Sequence, residues 1–164
     1  MAKSLTVGDE APNFDLTSTE GVVLMLRDEA PRTPVLLFFC AEAAAADLEA
    51  LKSLGDEMAR ARVKLLVISR SALADLTSLQ REHRLPFPLL HDDRDFSQLY
   101  GIGEQGPPGL FLVGRDQRLS WIERSPEDLR AAVSRAVAVA KKAPPSTSGY
   151  PKSIINRVVD RWVN

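Results

Sequence analysis

The sequence predicts an α/β fold in which helices flank a central sheet. This prediction rests on two apolar runs and on the helical pattern that follows each of them. The run at 35–40 is short and continuously apolar, which is typical of a strand buried on both faces of a parallel sheet, and the largely apolar run at 63–69 predicts a second buried strand. Leucines at helical spacing follow each run. Because the connections are too short for antiparallel detours, this order requires right-handed parallel crossovers.

The N-terminal arm and the first two helices can be placed from local signals. The segment 7–16 has a glycine turn, a proline and apolar residues at alternate positions, which predicts an extended hairpin closed around 20–21. The stretch from about Ala43 to Arg62 predicts one continuous amphipathic helix. Ser71 is expected to cap the next helix, which ends before Pro86.

The second half of the chain predicts a loop, a hairpin and a final core helix. A short helix at 96–100 leads into a loop at 101–109, which is too rich in glycine and proline for regular structure. The apolar stretches 110–113 and 119–123 predict a β-hairpin, which makes the central sheet mixed.

A capping signal opens the last core helix. Ser125 is expected to be the N-cap, Pro126 to take the first helical position and Asp128 to be the acid of a capping box. We therefore expect this helix to begin directly after Ser125 and to complete the domain.

The chain divides into one domain and a short extension. Residues 1–142 are expected to form the domain, residues 143–151 a linker rich in proline, serine and glycine, and residues 152–164 a short amphipathic helix. Its stripe is expected to pack on its own domain, on a second subunit or on another protein. The residues of this stripe are Ile154, Ile155, Val158, Val159 and Trp162.

Composition narrows the classes of function. The chain has 164 residues, 45% of them hydrophobic, and a net charge of −1, so it supplies no field that would attract nucleic acid or an anionic membrane. The N-terminus lacks a hydrophobic signal region, and no apolar run approaches the ~18 residues of a membrane-spanning helix. A single cysteine excludes an internal disulfide. We expect a soluble cytoplasmic protein that uses no cofactor.

Four strings, in order and at matching spacing, resemble stations of one family. They are V-G-D-E-A-P-N-F at 7–14, I-S at 68–69, L-P-F-P-L-L-H-D at 85–92 and L-Y-G-I at 99–102. The chain resembles the peroxiredoxins, the redoxins of the alkyl hydroperoxide reductase/thiol-specific antioxidant (AhpC/TSA) type, over about 5–140. The resemblance implies a thioredoxin-like fold and thiol-dependent peroxidase activity.

The chain departs from the motif that carries this family's chemistry. The motif reads P-x-x-x-T-x-x-C, and here Cys40 stands in place of the proline, Ala44 in place of the threonine and Asp47 in place of the reactive cysteine. Pro108 stands where the resemblance implies an arginine, and it resembles the cis-proline of thioredoxin-type members. The former active-site groove is then expected to include Ala43, Ala44, Asp47 and Pro108.

Two hypotheses of function follow. In the first, Asp47 only stabilises a helix start, Cys40 is an inert buried thiol and the chain is a non-catalytic binding or interaction protein. In the second, Cys40 forms a sulfenic acid that an external thiol resolves, as in a thiol peroxidase.

Two further groups of residues are candidates for the site. Arg70 follows the second buried strand and is expected to face the groove above Asp47, as an ion pair or a ligand contact. His91, Asp92 and Asp95 lie in one loop and could hold a divalent metal, although a hydrated turn explains them equally simply. We therefore expect no metal site.

Overall fold

A computed structural model describes residues 4–142 of the chain. The predicted linker and the predicted C-terminal helix, with its apolar stripe, lie outside the described residues. In chain order the elements are β1 (Asp15–Ser18), β2 (Val23–Met25), α1 (Leu26–Glu29), β3 (Val35–Cys40), α2 (Ala45–Ser53), α3 (Gly55–Arg60), β4 (Lys64–Ser69), α4 (Leu73–His83), β5 (Leu89–His91), α5 (Phe96–Leu99), β6 (Gly109–Val113), β7 (Leu119–Arg124) and α6 (Leu129–Lys142).

The seven strands form one mixed sheet in the order β2-β1-β5-β4-β3-β6-β7. The pairs β3–β4 and β4–β5 are parallel, whereas β6 is antiparallel to both β3 and β7. β1 pairs antiparallel with β2 and β5. The predicted parallel centre, N-terminal hairpin and second hairpin are all confirmed, and with them the α/β thioredoxin-like class.

β3 is the centre of the core, because all six of its residues are buried. Leu36 and Phe38 face the side of the sheet that also buries leucines of α2 and α4 and the small apolar residues of α6. Leu37 and Phe39 face the opposite side, where Phe39 stacks on Tyr100 with ring centroids 4.4 Å apart. This two-sided burial explains the absence of polar alternation in the strand.

The prediction of one helix from Ala43 to Arg62 is wrong. The chain forms α2 and α3 with a break at Leu54, whose φ of −99° and ψ of 5° leave the helical region. The N–H of Leu54 donates to the carbonyls of Leu51 and Lys52 instead of continuing the regular ladder. Gly55 follows directly. Because glycine has the lowest helix propensity after proline, interrupting the helix costs little at this position.

Both predicted serine caps are also wrong. Ala72, not Ser71, precedes α4, and the Ser71 Oγ accepts a hydrogen bond from the Ala43 N–H at 3.0 Å instead. Ser125 has a φ of 54° and lies outside the helix, which begins at Leu129. Asp128 provides the cap, because its Oδ1 accepts the N–H of Ala131 at 3.3 Å.

Hydropathy along the helices gives no support for a membrane span. Within residues 4–142, no helix combines the length and the apolar character that crossing a bilayer requires.

Candidate functional site

A pocket of about 300 Å³ opens at the edge of the sheet where β3 ends. Gly109, the first residue of β6, pairs with Phe39 in antiparallel register, so the loop before β6 reaches this same edge. The carboxyl edge of parallel strands is where open α/β sheets place their sites. The pocket is lined by Cys40, Ala41, Glu42, Asp47, Glu104, Gln105, Gly106 and Pro108.

Asp47 lies in the first turn of α2, as the sequence predicts. The N-cap position belongs to Ala44, which offers no side-chain hydrogen bond to the helix. A carboxylate in the first turn interacts favourably with the positive end of the helix dipole. Asp47 therefore puts a negative charge on the pocket wall at the place where the family resemblance expects a reactive thiol.

Cys40 is the last residue of β3 and only 4% exposed. Its Sγ lies 3.7 Å from the Ile68 carbonyl oxygen, to which the thiol donates a weak hydrogen bond. Burial raises the pKa of Cys40 to about 12, partly opposed by a hydrogen bond with Ser69 and further raised by the negative charge of Asp47. The sulfur is thus a protonated thiol at neutral pH, the opposite of an activated nucleophile.

Two serines hold the segment that connects β3 to α2. The Ser69 Oγ lies 3.1 Å from the Ser71 Oγ and 3.4 Å from the Ala41 carbonyl oxygen. The Ser71 Oγ accepts the Ala43 N–H, so the backbone of 41–43 is tied to the turn after β4. Ser69 is fully buried, and the Ser71 hydroxyl takes part in this network instead of capping α4.

Arg70 does not line the pocket. Its guanidinium forms an ion pair with Asp95 and donates to the carbonyls of Ile102 and Gly103 at 2.8 and 2.6 Å. The side chain therefore contacts the loop that forms the far wall of the pocket, and its ion-pair partner is Asp95, not Asp47.

The remaining predicted groove residues are placed differently from one another. Pro108 lines the pocket, whereas Ala43 and Ala44 do not. Ala44 is exposed and Ala43 is half-buried against the core on the helix side. No peptide bond among residues 4–142 is cis, so the expected likeness of Pro108 to a cis-proline is wrong.

The loop that could have held a metal uses its polar groups otherwise. The His91 Nδ1 lies 2.8 Å from the Ser71 carbonyl oxygen, and Asp95 is paired with Arg70. Asp92 accepts the N–H groups of Phe96 and Ser97 at 2.9 and 2.7 Å, which holds the start of α5. No metal-binding group of three such residues occurs in the described part of the chain.

The structure adds Glu42, Glu104 and Gln105 to the pocket, and sequence reasoning had missed all three. The signal was present in the second hairpin. A strand that runs antiparallel to β3 must start at the edge where β3 ends, so the loop at 101–109 had to reach Cys40. The pairing of β3 with β6 was needed to draw that conclusion.

Comparisons with known proteins give the family. The model of the AhpC/TSA family matches residues 7–122. A Coxiella burnetii protein named as a peroxiredoxin, bcp, is 29% identical over an aligned length of 107 residues, and the match covers 60% of this chain and 68% of that protein. Peroxiredoxin-6 of Rattus norvegicus is 27% identical over an aligned length of 151 residues. This match covers 73% of this chain and 64% of that protein, so the chain spans less than two thirds of the length of that relative.

A solved structure agrees at the level of the fold. Peroxidoxin BcpB from Mycobacterium tuberculosis superposes with a TM-score of 0.75 at 22% identity, over 85% of this chain and 99% of that one. The family match covers most of the residues that build the sheet and the whole lining of the pocket. The chain belongs to the AhpC/TSA family and is a peroxiredoxin-like redoxin.

Proposed function

We propose that this peroxiredoxin-like chain has lost the peroxidatic cysteine and acts as a non-catalytic redoxin, binding a partner or ligand where relatives carry out thiol chemistry. The observation that carries the proposal is that, at the start of α2, an aspartate replaces the reactive cysteine expected of the family. A carboxylate, Asp47, occupies the first turn, and the chain's single sulfur nucleophile lies at the end of β3 as a buried thiol.

The chemistry of peroxide reduction explains why this exchange matters. A thiolate attacks one oxygen of the O–O bond, a sulfenic acid forms, and the other oxygen leaves as water or an alcohol. A carboxylate at the helix start can occupy the anion-favouring position but cannot cycle in this way as sulfur does. Cys40 cannot substitute easily, because its pKa of about 12 leaves almost no thiolate at neutral pH.

The charge of the pocket supports the same proposal. Glu42, Asp47 and Glu104 all line it, and among residues 4–142 no lysine, arginine or histidine does. Negative charge near a thiol disfavours its ionised form and repels anionic ligands. A ligand of this pocket is therefore expected to be neutral or cationic.

Trapping of sulfenic acid tests the proposal. The native protein is exposed to hydrogen peroxide with dimedone, which captures sulfenic acids, and its intact mass is measured. We expect no adduct on the native protein, because the thiol is buried and protonated. Protein unfolded in urea is the control and is expected to react, since the thiol is then exposed. Rapid formation of an adduct on native Cys40 would contradict the proposal.

The alternative function is an antioxidant thiol peroxidase that acts through Cys40. It is favoured by one observation, that Cys40 lines the pocket despite its burial. In this case the Cys40 thiolate attacks the peroxide and becomes a sulfenic acid. One molecule of an external thiol then displaces its oxygen as water and forms a mixed disulfide, and a second molecule releases the Cys40 thiol and leaves in a disulfide with the first. The peroxide-dependent consumption of thioredoxin or glutathione would then disappear in Cys40→Ser.

The contact made by the C-terminal stripe and the cellular location are proposed from the sequence alone. The predicted stripe at 154–162 is proposed to contact the protein's own domain, a second subunit or another protein, and a cytoplasmic location is proposed for the chain. Cross-linking and cell fractionation of the full chain would test these two statements.

A further inference from the structure

The segment from Ile102 to Pro108 forms one wall of the pocket, and Arg70 holds this wall from outside. The Arg70 Nη1 donates to the Gly103 carbonyl at 2.6 Å, and Nη2 donates to the Ile102 carbonyl at 2.8 Å. Glu104, which follows directly, is the first wall residue that lines the pocket. The two carbonyls bound by Arg70 thus lie where the wall begins.

Arg70 is itself fixed on two sides. Its Nε donates to the Asp95 Oδ1 at 3.0 Å, and its backbone N–H donates to the Ala41 carbonyl at 3.2 Å. Its side chain is only 15% exposed, and the contact with the Ile102 carbonyl is partly buried, whereas the contacts with Asp95 and the Gly103 carbonyl are open to water. Arg70 therefore connects three parts of the structure: Ala41, which lines the pocket, Asp95 at the start of α5, and the wall.

The wall has few other attachments. Within residues 4–142, the Ile102 N–H donates to Ser97 and the Pro108 carbonyl accepts from Ser125, which fixes the two ends. Between these ends, the Gly106 N–H donates to Gly103 inside the wall itself. The bond from Arg70 to Gly103 is then the hydrogen bond that ties the interior of the wall to the rest of the described chain.

We propose that Arg70 is a positioning residue that holds the wall at 102–108 in place beside Cys40 and thereby controls the access of small molecules to this pocket. A planar guanidinium can donate to a carboxylate and two carbonyls at once, whereas a lysine offers a single point of charge. This role of Arg70 concerns the same pocket as the proposed function. It does not depend on whether Cys40 reacts with peroxide.

Modification of Cys40 by methyl methanethiosulfonate, followed by intact mass, measures this access. In Arg70→Met we expect native Cys40 to react about tenfold faster or more than in the wild type, because charge-assisted hydrogen bonds to the wall are lost. Arg70→Lys is expected to lie between the two. Arg135→Met is the matched control, since Arg135 forms an ion pair with Glu123 and neither of these two residues lines the pocket. Its rate should equal that of the wild type.

The dependence of the rate on urea separates a latch from a merely destabilised fold. Local opening of the wall exposes little surface, so the rate in Arg70→Met should hardly change at low urea concentrations. An unchanged rate in Arg70→Met would overturn the proposal, as would a faster rate with the steep urea dependence of global unfolding. The dimedone experiment asks whether Cys40 of the wild type forms a sulfenic acid, whereas the methanethiosulfonate experiment compares rates between variants, so either proposal can fail while the other stands.

Discussion

Asp47 and Cys40 lie on the same pocket, and their environments give them opposite properties. Asp47 stands in the first helical turn, where a negative charge is favourable. Cys40 is enclosed by apolar side chains, where a negative charge is costly. The sequence alone predicted the place of Asp47 and the burial of Cys40. The size of the pKa shift depends on Ser69 and on the packing around the sulfur, which the sequence does not display.

The buried thiol makes a prediction about stability in alkaline solution. The pKa of Cys40 rises from 9.0 to about 12 on folding, so between these values the unfolded chain releases the proton and the folded chain keeps it. The stabilisation is full below pH 9 and is lost as the pH rises towards 12. Relative to Cys40→Ala, the wild type should lose about 1 kcal/mol of unfolding free energy for each pH unit between about 9.5 and 11.

Urea unfolding at several pH values measures this difference. Cys40→Ala leaves a small cavity and lowers stability at every pH, so only the change of the difference with pH is informative. The buried Tyr100, whose pKa burial also raises, is present in both chains and cancels. Parallel stability profiles from pH 8 to 11 would show that Cys40 ionises normally in the folded protein.

The ends of the helices show which elements local sequence can specify. Ser71 and Ser125 are both residues that commonly cap helices, yet neither does so here. The Ser71 hydroxyl bonds to the backbone before α2, a contact between segments distant in sequence. Ser125 adopts a left-handed conformation while the Pro108 carbonyl accepts its N–H. Tertiary contacts decided both positions.

Asp128 should be the residue whose side chain matters at the start of α6. Asp128→Ala removes the acceptor for the Ala131 N–H and is expected to lower the unfolding free energy by about 1 kcal/mol. Ser125→Ala is the comparison, and we expect it to stay within about 0.5 kcal/mol of the wild type. Urea denaturation at pH 7 measures both. A larger loss of unfolding free energy in Ser125→Ala than in Asp128→Ala would contradict this expectation and indicate that Ser125 is the N-cap.

The strands were more predictable than the helix ends, for a physical reason. A strand buried on both faces is apolar over most of its length, so β3 and the middle of β4 are visible as apolar runs. The break at Leu54 leaves no comparable mark, because Leu51 and Leu54 still fall at helical spacing across it. Periodicity reports which face is buried, not whether the helical ladder is continuous.

At the scale of the whole molecule, the order of the strands creates the pocket. β3 ends at Cys40, β4 ends beside it at Ser69, and the antiparallel β6 begins there at Gly109. Three connecting segments therefore meet at one edge of the sheet. The family fold predicts such a meeting point, but the acidic wall residues become apparent only when β6 is placed beside β3.

The decisive experiment on the loss of peroxidase activity is steady-state turnover of hydrogen peroxide and an organic hydroperoxide by the purified chain, with thioredoxin or glutathione as the reductant. We expect a rate equal to that of the protein-free control, because the single thiol of the chain is buried and protonated. Saturable turnover that disappears in Cys40→Ser would contradict it.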